Sequence, residues 1–165
     1  MKKLFCDMDG VIARFYDEQN YLEAMYEEGF FESLGVYNRM VSGLNRFMKK
    51  HPEIPVYIIS AFPKESPFAK EEKNRWLDDF FPVKDRIFMF AGENKAKYVA
   101  NIDESCVLID DHSPNLLAWE AAGGTGIKVR NGINCRTKKW NGSIIDTQDT
   151  PDEIAGELEK ILGLN

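Results

Sequence analysis

The chain has 165 residues, 44% of them hydrophobic and 29% charged, proportions that exclude a disordered or low-complexity chain and fit one folded domain. Twenty-one Lys and Arg against 27 Asp and Glu give a net charge of −6, which works against binding polymeric nucleic acid or an anionic membrane surface. No apolar run is long enough to span a bilayer, and the Met1-Lys2-Lys3 start meets a strand-like tetrapeptide rather than a signal-peptide core. The three cysteines (Cys6, Cys106 and Cys135) are scattered without a disulfide or zinc pattern, so a reduced, cytoplasmic protein is expected.

Taken in chain order, short apolar runs at 3–6, 56–59, 87–90, 106–109 and 127–129 read as strands. Most are continuously apolar, as expected of strands covered on both faces. Helices are predicted between them. The first spans 41–50, where Val41, Leu44, Phe47 and Met48 share a face; the second spans 67–81, with Ser66 as N-cap and Pro67 at its first position. Two shorter ones follow at 95–100 and 114–122, the latter opened by Ser113-Pro114 and stopped at Gly123. Strands alternating with helices predict right-handed crossovers and an α/β, three-layer Rossmann-like fold around a central parallel sheet.

Residues 15–40 break this alternation: they are rich in aromatics and acids and interrupted by Gly29 and Gly35. They are expected to form a small helical cap inserted after the first strand, leaving a core of 1–14 and 41–165 within a single domain, 1–165. From Asn131 the chain is polar and turn-rich until Thr150-Pro151-Asp152-Glu153, a capping box for a final helix. The run Gly123-Gly124-Thr125-Gly126 precedes a strand instead of opening a helix after one, so it reads as a helix stop and turn, not a dinucleotide fingerprint. The basic stretch 136–139 beside Trp140 reads as a solvated hairpin.

Open parallel sheets bind ligands beyond the carboxyl ends of their strands. At those ends stand Asp7 and Asp9 after the first strand, Ser60 after the second, and Asp110 and Asp111 after the fourth, with Lys95 opening the helix before that fourth strand. Four converging carboxylates repel one another unless a cation compensates them, and hard oxygen donors suit Mg²⁺, which also takes phosphate oxygens. A carboxylate can attack phosphorus, and a second one two residues on can protonate the leaving oxygen and later activate water.

The segments Leu4-Phe5-Cys6-Asp7-Met8-Asp9-Gly10-Val11, Tyr57-Ile58-Ile59-Ser60, Lys95, and Val107-Leu108-Ile109-Asp110-Asp111 resemble, in order, the four motifs of the haloacid-dehalogenase superfamily. More narrowly, Asp7-Met8-Asp9-Gly10-Val11, Leu108-Ile109-Asp110-Asp111, Asn115-Leu116 with Trp119-Glu120, and Gly123-Gly124-Thr125-Gly126-Ile127 resemble the 5′(3′)-deoxyribonucleotidase family and its bacterial and phage relatives. The resemblance covers residues 3–130. It implies that Asp7 is the nucleophile and a Mg²⁺ ligand, and that Asp9 is the general acid and base with its backbone carbonyl on the metal. Ser60 and the Ala61 amide would hold phosphate oxygens and Lys95 would complete that clamp, with Lys97 as its rival. Asp110 would bind the metal directly, with Asp111 supporting it through water.

Arg14, Phe15 and Tyr16 are candidate substrate contacts. Phe15, Tyr16, Tyr21, Phe30 and Phe31 would form either a wall for a base or the glue of the small cap. The resulting expectation is a Mg²⁺-dependent phosphomonoesterase working through an aspartyl-phosphate on a small-molecule substrate, a nucleoside monophosphate. Alternatives are hydrolysis of another small phosphorylated metabolite, or a non-catalytic phospho-acceptor module. Receivers of that last kind carry their acid pair early, whereas here the pair ends the series.

Overall fold

The computed structural model describes residues 1–16, 21–134 and 140–164. In chain order these form β1 (Lys3–Cys6), β2 (Ala13–Arg14), α1 (Tyr21–Ala24), β3 (Gly35–Val36), α2 (Asn38–Lys50), β4 (Val56–Phe62), α3 (Ala69–Phe80), β5 (Arg86–Phe90), a one-turn 3₁₀ helix (Lys95–Tyr98), β6 (Cys106–Asp110), α4 (Ser113–Ala121), β7 (Thr125–Arg130), β8 (Ser143–Asp146) and α5 (Pro151–Leu162). Six strands make one sheet in the order β5-β4-β1-β6-β7-β8, every pairing parallel. The fold is the expected α/β Rossmann-like one.

Alternate strand residues enter two cores. Leu4, Cys6, Ile58, Val107 and Ile109 join Leu44 and Phe47 of α2, Trp76 of α3 and Ile154 and Leu158 of α5 on one face. Phe5, Ile59 and Leu108 meet Leu116 and Trp119 of α4 on the other. Continuous apolar strands are what two covered faces demand. Cys6 and Cys106 are buried free thiols within these cores.

The structure adds what the apolar runs did not reveal. β8 is a sixth parallel strand, too short at the sheet's edge to leave a run of buried side chains. Trp140 is no part of a solvated hairpin. Its ring is buried against Gly126 and Gly142, where a Cβ would stand 2.7 and 2.5 Å from ring atoms, and its Nε1 donates to the Ser143 carbonyl at 3.0 Å; residues 136–139 lie outside the described residues. The helix expected over 95–100 is only a single 3₁₀ turn, started by Asn94, whose side chain accepts from Ala96 N at 2.9 Å. α2 begins at Asn38, inside the span assigned to the cap. α3 begins at Ala69, with Ser66 Oγ accepting the Ala69 N–H at 3.1 Å. The expected capping box opens α5, Thr150 and Glu153 bonding each other's backbone N–H.

Among the described residues of the cap region that precede α2, α-helix is confined to the single turn of α1. β2 and β3 pair antiparallel at its root, and Phe15 packs its ring against Tyr16, Tyr21, Phe30 and Phe31. Its second half is held by α3: the buried Glu72 carboxylate accepts the N–H groups of Gly29 (2.6 Å) and Phe31 (3.0 Å). Trp76 Nε1 donates to the Leu34 carbonyl at 2.8 Å, and Arg75 forms a two-pronged pair with Glu32. Among the described residues no helix is long and apolar enough to cross a membrane.

Candidate active site

From β1 the chain runs outward through β4 and β5, then returns to lay β6 on the other side of β1. Such a reversal opens a crevice at the carboxyl ends of the two central strands. Register pairs Cys6 with Ile109, so Asp7, just beyond β1, and Asp110, the last residue of β6, arrive side by side. The chain after Asp7 then curls tightly: the N–H groups of Ile12 and Ala13 donate to the Met8 carbonyl at 3.0 and 2.9 Å, and Gly10 turns at φ +76°. That curl brings Asp9 to the cleft.

Lys95 is buried and its ammonium lies between two carboxylates, 3.0 Å from Asp7 Oδ1 and 2.6 Å from Asp110 Oδ2. Lys97 is exposed, so of the two rivals it is Lys95 that reaches the acids. Asp110 is fully buried and further held by the His112 N–H (2.8 Å) and Asn115 Nδ2 (3.0 Å). Asp111 accepts from Asn131 Nδ2 at 3.1 Å. Ser60 is buried inside β4, which continues two residues past it to Phe62.

A second lysine also reaches the site, and no sequence motif marked it. Lys73 of α3 is completely buried; its ammonium pairs with Asp9 Oδ2 and donates to Ser60 Oγ (3.1 Å) and the Ala61 carbonyl (2.6 Å). It also lies over the Phe31 ring, 4.6 Å from the centroid. The signal was present in the helical pattern: Ala69, Glu72, Lys73, Trp76 and Leu77 form one buried stripe, and two charges within an apolar stripe require partners. Glu72 finds its partners in the cap, Lys73 in the acids.

Asp7, Asp9 and Asp111 line a cleft of about 190 Å³ whose other wall carries Phe15, Tyr16 and Phe31. Ala61 and His112 also face it. Arg14 is not part of this lining; its guanidinium stacks over the Tyr37 ring at 5.3 Å.

Burial pushes the Asp7 carboxyl up from 3.8 to about 7; Lys95 opposes this and the Asp110 and Asp9 carboxylates add to it. Burial likewise raises Asp111, reinforced by Asp110 and Asp7. For Lys95, burial works against the charge, but Asp110 and Asp7 outweigh it and lift the ammonium above its ordinary range. Among the described residues, Lys95 pairs with Asp7 and Asp110, and Lys73 with Asp9.

One observation tests whether a divalent ion fits: Asp7, Asp110 and Asp111 each present a carboxylate oxygen, all within 4.8 Å of one another. Hard, buried oxygen donors carrying surplus negative charge are the donor set for a Mg²⁺-type cation, so the residues fit.

Solved structures place this fold. The chain matches a D,D-heptose 1,7-bisphosphate phosphatase from Burkholderia thailandensis at a TM-score of 0.62 and 14% identity, covering 98% of this chain and 99% of that one. It matches a hydrolase from Pseudomonas syringae at 0.61 and 10%, over 98% and 99%. A HAD family hydrolase from Deinococcus radiodurans R1, with bound phosphate and sodium, matches at 0.60 and 12%, over 97% and 96%. No family model and no curated protein matches the chain. At these identities the likeness is one of fold, shared with these structures over 97–98% of this chain.

Proposed function

We propose that the chain is a Mg²⁺-dependent phosphomonoester hydrolase that works through a phosphoaspartate on Asp7, with a nucleoside monophosphate as substrate. The observation that carries this reading is the meeting of Asp7, Lys95, Asp110 and Asp111 at the strand reversal, with Asp9 beside them on the cleft. The shared architecture with phosphatase and hydrolase structures, one of them described with bound phosphate, supports it.

A carboxylate oxygen of Asp7 attacks phosphorus as the bond to the leaving alcohol oxygen breaks, and Asp9 gives that oxygen a proton. Asp9, now ionised, takes a proton from a water molecule whose oxygen attacks the phosphoaspartate, freeing inorganic phosphate and restoring Asp7. Lys73 grips Asp9 Oδ2 and leaves Oδ1, which has no protein partner, to carry the proton. Lys95 opposes the upward pull of burial on the Asp7 carboxyl and so favours its ionised, attacking form, and Ser60 with the Ala61 amide would hold phosphate oxygens. A divalent ion on Asp7, Asp110 and the Asp9 carbonyl, with Asp111 behind it, would supply charge neutralisation for the transferring phosphoryl group. Phe15 and Tyr16 line the cleft on the leaving-group side and would give a nucleobase an aromatic edge to pack against.

Phosphate release from a panel of ribo- and deoxyribonucleoside monophosphates and sugar phosphates, ranked by kcat/KM in MgCl₂ and in EDTA, tests the reading. Nucleotide turnover that needs Mg²⁺ and disappears in Asp7→Asn is expected. Turnover that survives Asp7→Asn or exhaustive chelation overturns the mechanism, and a preference for sugar phosphates overturns the substrate class.

A further inference from the structure

The loop after β7 touches both halves of the acid cluster. Asn131 is buried and spends its whole side chain there: Nδ2 donates to the Gly10 carbonyl (3.0 Å) and to Asp111 Oδ2 (3.1 Å), while Oδ1 accepts from Ile133 N and Asn134 N, each at 3.1 Å. Asn134 completes the knot. Its Nδ2 donates to the carbonyls of Asp111 (2.9 Å) and Val129 (2.7 Å), and its Oδ1 accepts from Asn131 N at 3.1 Å. Two asparagines thereby tie the turn beyond β1, the residue beyond β6 and the end of β7 into one unit.

The chemistry of this clasp is selective. An amide donates to Asp111 without bringing a counter-charge, so the carboxylate is oriented but not neutralised; a lysine there would compete with a cation. Space is arranged to match: a Cβ on Gly10 would stand 2.3 Å from Asp111 Oδ2, so the bare glycine is what allows the carboxylate to lie where Asn131 holds it. We propose that Asn131, backed by Asn134, is a positioning residue that orients Asp111 and so sets the affinity of the acid cluster for its divalent cation. The inference rests on the reading of that cluster as a cation site. Groups that orient metal ligands typically change metal affinity by about 10- to 100-fold when removed.

Full-length wild type and Asn131→Ala, stripped with EDTA and dialysed, are to be titrated with MgCl₂ by calorimetry, and their phosphatase rates followed against Mg²⁺ concentration. The expected result is Mg²⁺ binding about 10- to 100-fold weaker in Asn131→Ala, with the half-saturating Mg²⁺ for turnover shifted by the same factor and kcat at saturating Mg²⁺ within about threefold of wild type. Unchanged Mg²⁺ affinity, or a kcat depressed at every Mg²⁺ concentration, overturns the positioning role while leaving the cation site standing. Wild type that takes up no Mg²⁺ overturns the cation reading itself and this inference with it. Should Asn131→Ala fail to fold, Asn134→Ala decides: it frees the Asp111 backbone but keeps the Asn131 donor. A severalfold loss of Mg²⁺ affinity in it supports the clasp, and wild-type affinity overturns it.

Discussion

Removing divalent cations and raising the pH should together destabilise this protein. Its acid cluster has been withdrawn from water with too few positive charges, and the Asp7 carboxyl is consequently raised from 3.8 to about 7. An acid whose pKa is higher in the folded state binds its proton more tightly there, so it stabilises the fold at low pH. That contribution is lost as the pH climbs through the folded value, because the native state then carries an uncompensated buried charge. The difference of about three units corresponds to about 4 kcal/mol at about 1.36 kcal/mol per unit. Roughly two-thirds of it falls above pH 5. The raised Asp111 adds a contribution of the same sign, whereas the raised Lys95 loses its proton only in the alkaline range.

For a chain of this size, with about 2–4 °C per kcal/mol, the melting temperature in EDTA should fall by roughly 5–10 °C between about pH 5 and pH 8. Thermal unfolding followed by circular dichroism measures it. MgCl₂ at the upper pH should restore the loss, since a cation binds the ionised carboxylates, and Asp7→Asn should flatten the slope by removing the group that titrates. A melting temperature that holds or rises with pH in EDTA, or a slope unchanged in Asp7→Asn, refutes the account of the cluster as a buried surplus of negative charge.

Two other substitutions probe α3. Lys73→Met deprives Asp9 of its ammonium partner; since breaking a buried pair costs about 3–5 kcal/mol and Asp9 keeps some exposure, urea unfolding should show a loss of about 2–4 kcal/mol. The same variant should lower kcat by about 10²-fold, because Asp9 loses the contact that places it; a wild-type kcat would remove Lys73 from the site's machinery. Glu72→Ala takes the acceptor away from the Gly29 and Phe31 N–H groups, and bonds to a charged partner contribute about 1.5–3 kcal/mol each. Amide hydrogen exchange at those two residues should accelerate at least tenfold, with KM rising more than kcat falls. Unchanged exchange would mean that Glu72 does not anchor the cap segment.

Much of the molecule is legible in its amino-acid sequence. Five strands could be read as short, mostly continuous apolar runs because a parallel sheet covered on both faces leaves that trace, and the capping box at Thr150 is a local pattern with a local cause. Asp7, Asp9, Asp110 and Asp111 were legible for a related reason: they stand in or next to those runs, so locating the strands locates the acids. Lys95 could be named but not chosen over Lys97 on firm ground. Which of two lysines on a single 3₁₀ turn points inward depends on how that turn packs against β5 and α4.

What the chain order could not disclose is the set of contacts made between distant segments. Lys73 and Asp9 lie 64 positions apart, and Asn131 and Gly10 lie 121 apart. Their meeting depends on the crossovers that place α3 above β4 and carry the loop after β7 back to β1. β8 escaped notice because an edge strand of four residues, with one buried side chain, leaves almost no pattern. Apolar periodicity and strand-end acids are imprinted residue by residue, since burial acts on each side chain where it stands. The partners that orient those acids are set only when the sheet reverses its winding and brings three strand ends to one rim.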